Sequence, residues 1–204
     1  MGDISLKGYH GTCSFARKSI ESKGLDPEAT TKRNNHWLGN GVYFFEDFAI
    51  AKWWAVGVAS KNHGSLPIIY GACIVVEEKQ GLDLDNNEEQ AKFRHFVEEK
   101  LKDIEALCKE DDIGYPTFSL EQFRGVFFDY YKREFGIKVV IATFNKDFVK
   151  YAPYYPTKKV EQDFNREFSR AFGVTYKEKQ ICVSDGNCIR DYKEINTIEE
   201  AEVV

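Results

Sequence analysis

The sequence predicts a mixed α+β domain, and three observations carry that expectation. Short strand-like and helix-like segments alternate up to residue 77. Two longer stretches, 87–110 and 119–135, repeat apolar residues every three or four positions. Strand-like segments return from residue 137. A chain of 204 residues fits one domain, or one domain with a large insertion.

The elements follow in order. Residues 6–10 read as a first strand, and Ser14 is placed to cap a short helix carrying Phe15, Ala16 and Ile20 and closing at Gly24. Residues 26–35 are polar and read as a surface loop. Residues 41–45 are a strand candidate, and residues 48–60 a helix rich in Ala and Trp. Residues 68–77 mix alternating and continuous apolar positions, the pattern of an inner strand. The clearest helix spans 87–110, with Phe93, Phe96, Val97, Leu101, Ile104 and Leu107 along it. A second spans 119–135, with Leu120, Phe123, Phe127 and Tyr131 on one side. Together they make a helical insertion near 85–135. Residues 137–144 read as a buried strand, 151–156 as an aromatic, proline-rich loop, and 180–184 as a short final strand before an Asp185-Gly186 turn. The acidic residues 199–204 read as a frayed tail.

Composition narrows the class. Hydrophobic residues make up 43% and aromatics 15%, enough for a sizeable core and against disorder. A net charge of -5 gives no support for general nucleic-acid binding, although a local basic groove is compatible with it. The five cysteines are scattered and none forms a C-x-x-C pair, so they read as free thiols in a reducing cytosol and not as a zinc site. His36, His63 and His95 lack metal-ligand spacing and read as surface or loop residues; no metal is expected. Asp83, Asp85, Asn86 and Asn87 fit a helix-capping cluster better than a calcium loop. The first eight residues carry no apolar core of a secretory signal, and no apolar run approaches the roughly 20 residues that span a bilayer. The expectation is a cytoplasmic protein with no membrane partner.

Two motifs carry chemistry. His10-Gly11-Thr12 is a polar tripeptide ending an apolar segment, and Gly39-Asn40-Gly41-Val42-Tyr43-Phe44 is a glycine-flanked turn opening into an aromatic strand. The second is not a Rossmann fingerprint, because a third glycine is missing. In order and spacing the pair resembles the poly(ADP-ribose)-polymerase-like, or diphtheria-toxin-type, ADP-ribosyltransferases, and small bacterial relatives with a Tyr-His-Gly-Ser/Thr motif. Tyr9-His10-Gly11-Thr12 matches that motif, and the second segment matches Gly-x-Gly-x-Tyr-Phe. Trp54, eleven residues after Tyr43, falls where the family has a second ring.

The resemblance implies a split β-sandwich with peripheral helices, with the substrate pocket at the junction of two small sheets. It implies that NAD is a substrate to be cut and not a redox carrier. Breaking the bond between ribose and a cationic nicotinamide releases a neutral leaving group and builds positive charge on the ribose. Such a site needs a cradle for the amide, a stack for the ring, a hydrogen bond to the ribose and a polar or anionic group near the developing cation. By the resemblance, His10 bonds a ribose hydroxyl, Gly11 offers its backbone to the carboxamide, and Tyr43 and Trp54 flank the pyridinium by stacking and cation–π attraction. Thr12 and Gly41 belong to the same two motifs. Ala51 stands where other members have a carboxamide-binding serine. Gln180 stands where they have a glutamate, so polymer synthesis is not expected: Gln bonds a hydroxyl but supplies no base or negative charge. Glu178, two residues earlier, shares a strand face with Gln180 and is placed to supply the missing carboxylate. His10, Tyr43, Glu178 and Gln180 are therefore the candidate catalytic residues.

The expected function is mono-ADP-ribosyl transfer from NAD to a macromolecular acceptor, protein or nucleic acid, with a toxin or effector role by family analogy. Lys32-Arg33 and residues 151–159 are candidate acceptor surfaces. The alternatives are an inactive sensor that binds NAD or ADP-ribose, and an NAD glycohydrolase.

Overall fold

The computed structural model describes residues 2–30, 36–111, 119–146 and 176–195. Seven strands run through the described residues: β1 Asp3–Cys13, β2 Val42–Phe45, β3 Pro67–Glu77, β4 Gly81–Asp83, β5 Val139–Lys146, β6 Tyr176–Val183 and β7 Ile189–Ile195. The α-helices among them are α1 Arg17–Lys23, α2 Phe48–Ser60, α3 Asn87–Glu110 and α4 Leu120–Phe135. The domain is α+β, as the alternation of segments predicts.

All seven strands join one sheet in the order β4-β5-β6-β2-β1-β3-β7, which corrects the expectation of two separate small sheets. The joint between its halves is narrow. β1 and β3 pair antiparallel over the whole length of β1, from Asp3↔Glu77 to Cys13↔Pro67. β2 and β6 pair from Val42↔Val183 to Phe45↔Gln180, and β5 and β6 pair along eight residues. Between β1 and β2, however, the register holds one pair, Tyr9↔Phe45. The two strands share no further register pair, and this break in the pairing is the seam of the sheet.

Three apolar clusters support this arrangement. Val42, Phe44, Ile74, Val139, Ile141 and Ile181 fill one side of the sheet. Leu38, Phe96, Phe127, Phe128 and Tyr131 pack α3 and α4 against Val140 and Cys182 on the other. Phe45, Ile50, Ala51, Ala55 and Ile69 seat α2. Phe93 stacks on Phe128 with centroids 4.5 Å apart, so the two helices of the insertion share one aromatic seam. Leu107, expected on the apolar face of α3, is instead exposed.

The capping chemistry is mixed. Asn86 accepts from the backbone N–H groups of Glu88 and Glu89, and Ser119 and Gln122 form a reciprocal capping box. Ser14 does not cap a helix: its Oγ accepts from Leu66 N–H while its own N–H donates to Leu66 O, so it prolongs the β1–β3 pairing. A short 3-10 turn follows, α1 begins at Arg17, and Phe15 is left 63% exposed. Strands β4 and β7 are additions to the predicted set, and β6 begins four residues earlier than expected. The loop 151–156 and the tail 199–204 lie outside the described residues.

Candidate functional site

The seam opens into a cavity of about 450 Å³, within the roughly 300–1,000 Å³ of small-molecule sites. β1 brings His10, Gly11 and Thr12 to it; the turn before β2 and the strand itself bring Gly41 and Tyr43. α2 contributes Trp54, and β6 contributes Glu178 and Gln180. Residues as distant in sequence as His10 and Gln180 thus meet where the sheet parts. They do so because β2 pairs with β6 on one side and touches β1 at a single point on the other.

His10 is oriented by the strand that it faces. Its Nδ1 lies 2.8 Å from Tyr43 O, and a carbonyl only accepts, so Nδ1 carries the proton. In the neutral ring Nε2 is then an acceptor, suited to a hydroxyl donor.

Tyr43 contributes its ring and not its hydroxyl. The hydroxyl donates to Gly39 O at 2.7 Å and accepts from Leu38 N–H at 2.8 Å. Burial, helped by the nearby Cys182, pushes the phenol far above its ordinary range. Tyr43 therefore stands in the cavity as a neutral aromatic wall. His36 covers part of that wall, its ring centroid 5.0 Å from that of Tyr43 at an interplanar angle of 31°. Trp54 sits among aromatic neighbours, 6.0 Å from Phe45 and 6.3 Å from Trp53.

Glu178 and Gln180 lie side by side on β6, on one face as their spacing predicts. Gln180 Nε2 donates to Glu178 Oε1 at 2.5 Å. Both are buried, at 8% and 7% exposure, yet both line the cavity. A carboxylate held this way keeps a fixed direction. The register sets Glu178 opposite Phe144 of β5 and Gln180 opposite both Phe45 and Ala142, so backbone pairing holds Gln180 from both sides and Glu178 from one.

One sequence assignment changes. Ala51 does not line the cavity; it is fully buried, and its carbonyl packs against β1. Gly11 does line the cavity, but its lack of a side chain serves helix packing. A Cβ there would collide with Ala51 O and lie 3.0 Å from Ala55 N, so only glycine lets α2 lie this close to β1.

The cavity also recruits residues that the motifs do not contain: His36, Trp37 and Trp53 among them. His36 reads from sequence as a surface or loop residue, and it is indeed in a loop, but one that forms the wall. The signal is its position, in a His-Trp pair two residues before the glycine turn. Trp37 packs edge-on against Phe144 at 4.9 Å, and the Arg124 guanidinium lies 5.1 Å from its ring centroid. The expected acceptor surfaces, Lys32-Arg33 and residues 151–159, lie outside the described residues. Among the described residues no cluster of His, Cys, Asp or Glu is arranged to hold a metal ion, and no helix is long and apolar enough to cross a membrane.

An uncharacterized protein of Methanocaldococcus jannaschii, MJ0359, is 28% identical over 211 residues, covering 93% of this chain and 87% of that protein. No protein-family model matches the chain, and no solved structure matches it. The similarity to MJ0359 runs over most of both chains and brings no activity with it.

Proposed function

We propose that the protein is a mono-ADP-ribosyltransferase with an ADP-ribosyltransferase-like fold, its seam corresponding to the split of the sandwich. NAD enters the cavity as substrate, the bond between ribose and nicotinamide breaks, and ADP-ribose passes to a macromolecular acceptor, protein or nucleic acid. The observation that carries this reading is the Glu178 carboxylate, buried in the cavity and held by Gln180.

The chemistry follows from that group. Nicotinamide leaves with the electron pair of the broken bond and departs neutral, so no acid is needed. Positive charge grows on the ribose, and a fixed carboxylate nearby offsets it. The acceptor's nucleophilic atom then bonds to the ribose carbon, and its proton passes to Glu178 or to water. His10 accepts from a ribose hydroxyl through Nε2. The rings of Tyr43 and Trp54 favour a cationic pyridinium and lose that attraction once the ring is neutral. With Gln180 at the glutamate position, one transfer and not chain growth is the expected product.

The same Gln180–Glu178 bond supports a second reading, a sensor that binds NAD without cutting it, because the amide occupies one carboxylate oxygen. Glu178→Gln separates the two. In a transferase this variant lowers nicotinamide release by about 100-fold or more, while its Kd for NAD stays within about threefold of the parent. NAD binding without nicotinamide release in the unmodified protein supports the sensor. A Glu178→Ala protein with undiminished release removes Glu178 from the chemistry.

A further inference from the structure

Helix α4 reaches out of the insertion and grips the glycine turn of the cavity. Asp129 accepts from Asn40 N–H through Oδ1 and from the Asn40 side-chain amide through Oδ2, both at 2.6 Å. Lys132, one helical turn on, donates from Nζ to Asn40 O at 2.8 Å and lies 3.4 Å from Cys182 Sγ. Its ammonium is 3.8 Å from Asp129 Oδ1, and the residue is only 7% exposed.

This grip has no need to be so polar if it serves packing alone. Burying an ammonium beside a carboxylate costs more than burying apolar residues of similar size. The turn, for its part, is built to receive them. Gly39 has φ +80, and a Cβ there would collide with Asp129 Oδ1 and lie 3.0 Å from Lys132 Nζ. Gly41 has φ +154, and a Cβ would lie 2.5 Å from Val183 O. Both N–H and C=O of Asn40 are taken by α4 side chains, and Gly39 O is taken by the Tyr43 hydroxyl. The turn is thus fixed by side chains from distant elements. It leads directly into β2, where Tyr43 presents its ring to the cavity and its carbonyl to His10 Nδ1.

We infer that Asp129 and Lys132 are positioning residues of the NAD site, acting through Asn40 and Tyr43 to set the direction of His10. The inference rests on the proposed function for the identity of the ligand, but the grip itself does not. The helical insertion thereby gains a role, since α3 and α4 hold one wall of the cavity at its working geometry.

The test exchanges the two partners. Asp129→Asn removes the charge-assisted bond to the Asn40 side-chain amide and leaves at best a neutral amide pair. Asn40→Asp combined with Asp129→Asn restores the charge-assisted bond with the roles reversed. NAD binding is measured by titration, nicotinamide release by its kcat and KM, and folding by Tm. Asp129→Asn is expected to weaken NAD binding at least tenfold and to raise KM more than it lowers kcat, and the double exchange to recover both to within about threefold of the parent. Parental affinity in Asp129→Asn, or no recovery in the double exchange, overturns the inference. If Asp129→Asn does not fold, Asn40→Ala, which leaves α4 intact, is measured in its place: tenfold weaker NAD binding supports the inference, and parental affinity overturns it. If the unmodified protein binds no NAD, the functional reading fails and the grip is read separately. Alkylation of Cys182, mapped by mass spectrometry, is then expected to rise in Asp129→Asn and fall back in the double exchange; unchanged protection overturns the grip as well.

Discussion

At the scale of single residues, the site depends on which atoms are committed and which are presented. The Tyr43 hydroxyl is committed to Leu38 and Gly39, so the ring is its working part. Tyr43→Phe is therefore expected to keep NAD affinity within about threefold. It leaves the buried Leu38 N–H without its partner and Gly39 O with the weak Cys182 Sγ contact, and is expected to cost about 1–3 kcal/mol of stability. Tyr43→Ala removes the wall itself and should lose binding. Equal damage from both substitutions, measured by NAD titration beside thermal melting, would mean that the hydroxyl takes part directly. His10 shows the complementary case. Its bond to Tyr43 O spends Nδ1 and leaves Nε2 as an acceptor in the neutral ring, a detail that sequence does not carry.

Elements impose their own constraints. α2 lies against β1 only because Gly11 has no Cβ. Gly11→Ala is expected to destabilise by about 3 kcal/mol, at the upper end for overpacking, because the atom it meets is backbone and not a flexible side-chain end. For a domain of this size that corresponds to a fall in Tm of roughly 6–12 °C. A melt within about 2 °C of the parent would show that α2 has room to move. The β6–β7 connection supplies a pH dependence. Asp185 accepts from Asn187 N–H at 3.0 Å and pairs with Lys138 at 3.1 Å, and these bonds, the backbone one foremost, hold its carboxyl below the usual carboxylate range. A carboxyl depressed on folding stabilises fully above its unfolded pKa of about 4, and that stability is lost as pH falls through this value toward the folded one. The group is partly exposed, as is its Lys138 partner, so screening limits its worth to about 0.5–1 kcal/mol. Thermal melts from pH 6 down to pH 2 should therefore fall more steeply for the parent than for Asp185→Asn; parallel curves would contradict the role of Asp185.

For the whole molecule, the decisive feature is a sheet that nearly divides. One register pair joins its halves, and the predicted chemical groups gather where the pairing stops. Much of this is legible in the sequence. α2 and α3 have the predicted limits, Phe48–Ser60 and Asn87–Glu110, because their apolar content is strong and their ends carry capping residues. The two motifs also name much of the cavity wall. What escapes does so for physical reasons. β7 is buried only at Ile189, then runs exposed along the sheet edge to Lys193 before two half-buried residues, so it shows no alternation to read. β4 is three residues long. The start of β6 is a run of charged and polar residues that looks like a loop, because its inward positions, Glu178 and Gln180, face a cavity and not a core. Local pattern and global fold disagree there, as they tend to at working sites. Ala51 misleads in the opposite direction: it is buried where α2 packs against Gly11 of β1, which only the three-dimensional contact reveals.

The most direct measurement follows NAD itself. Purified protein is incubated with NAD labelled in its adenylate half, with and without cell lysate as a source of acceptors, and free nicotinamide and macromolecule-bound label are counted. A transferase releases nicotinamide and fixes label on protein or nucleic acid, and loses both with His10→Ala or Glu178→Gln. Release without fixed label would assign the acceptor role to water. Neither release nor saturable binding of NAD would contradict the reading of the seam as an NAD site.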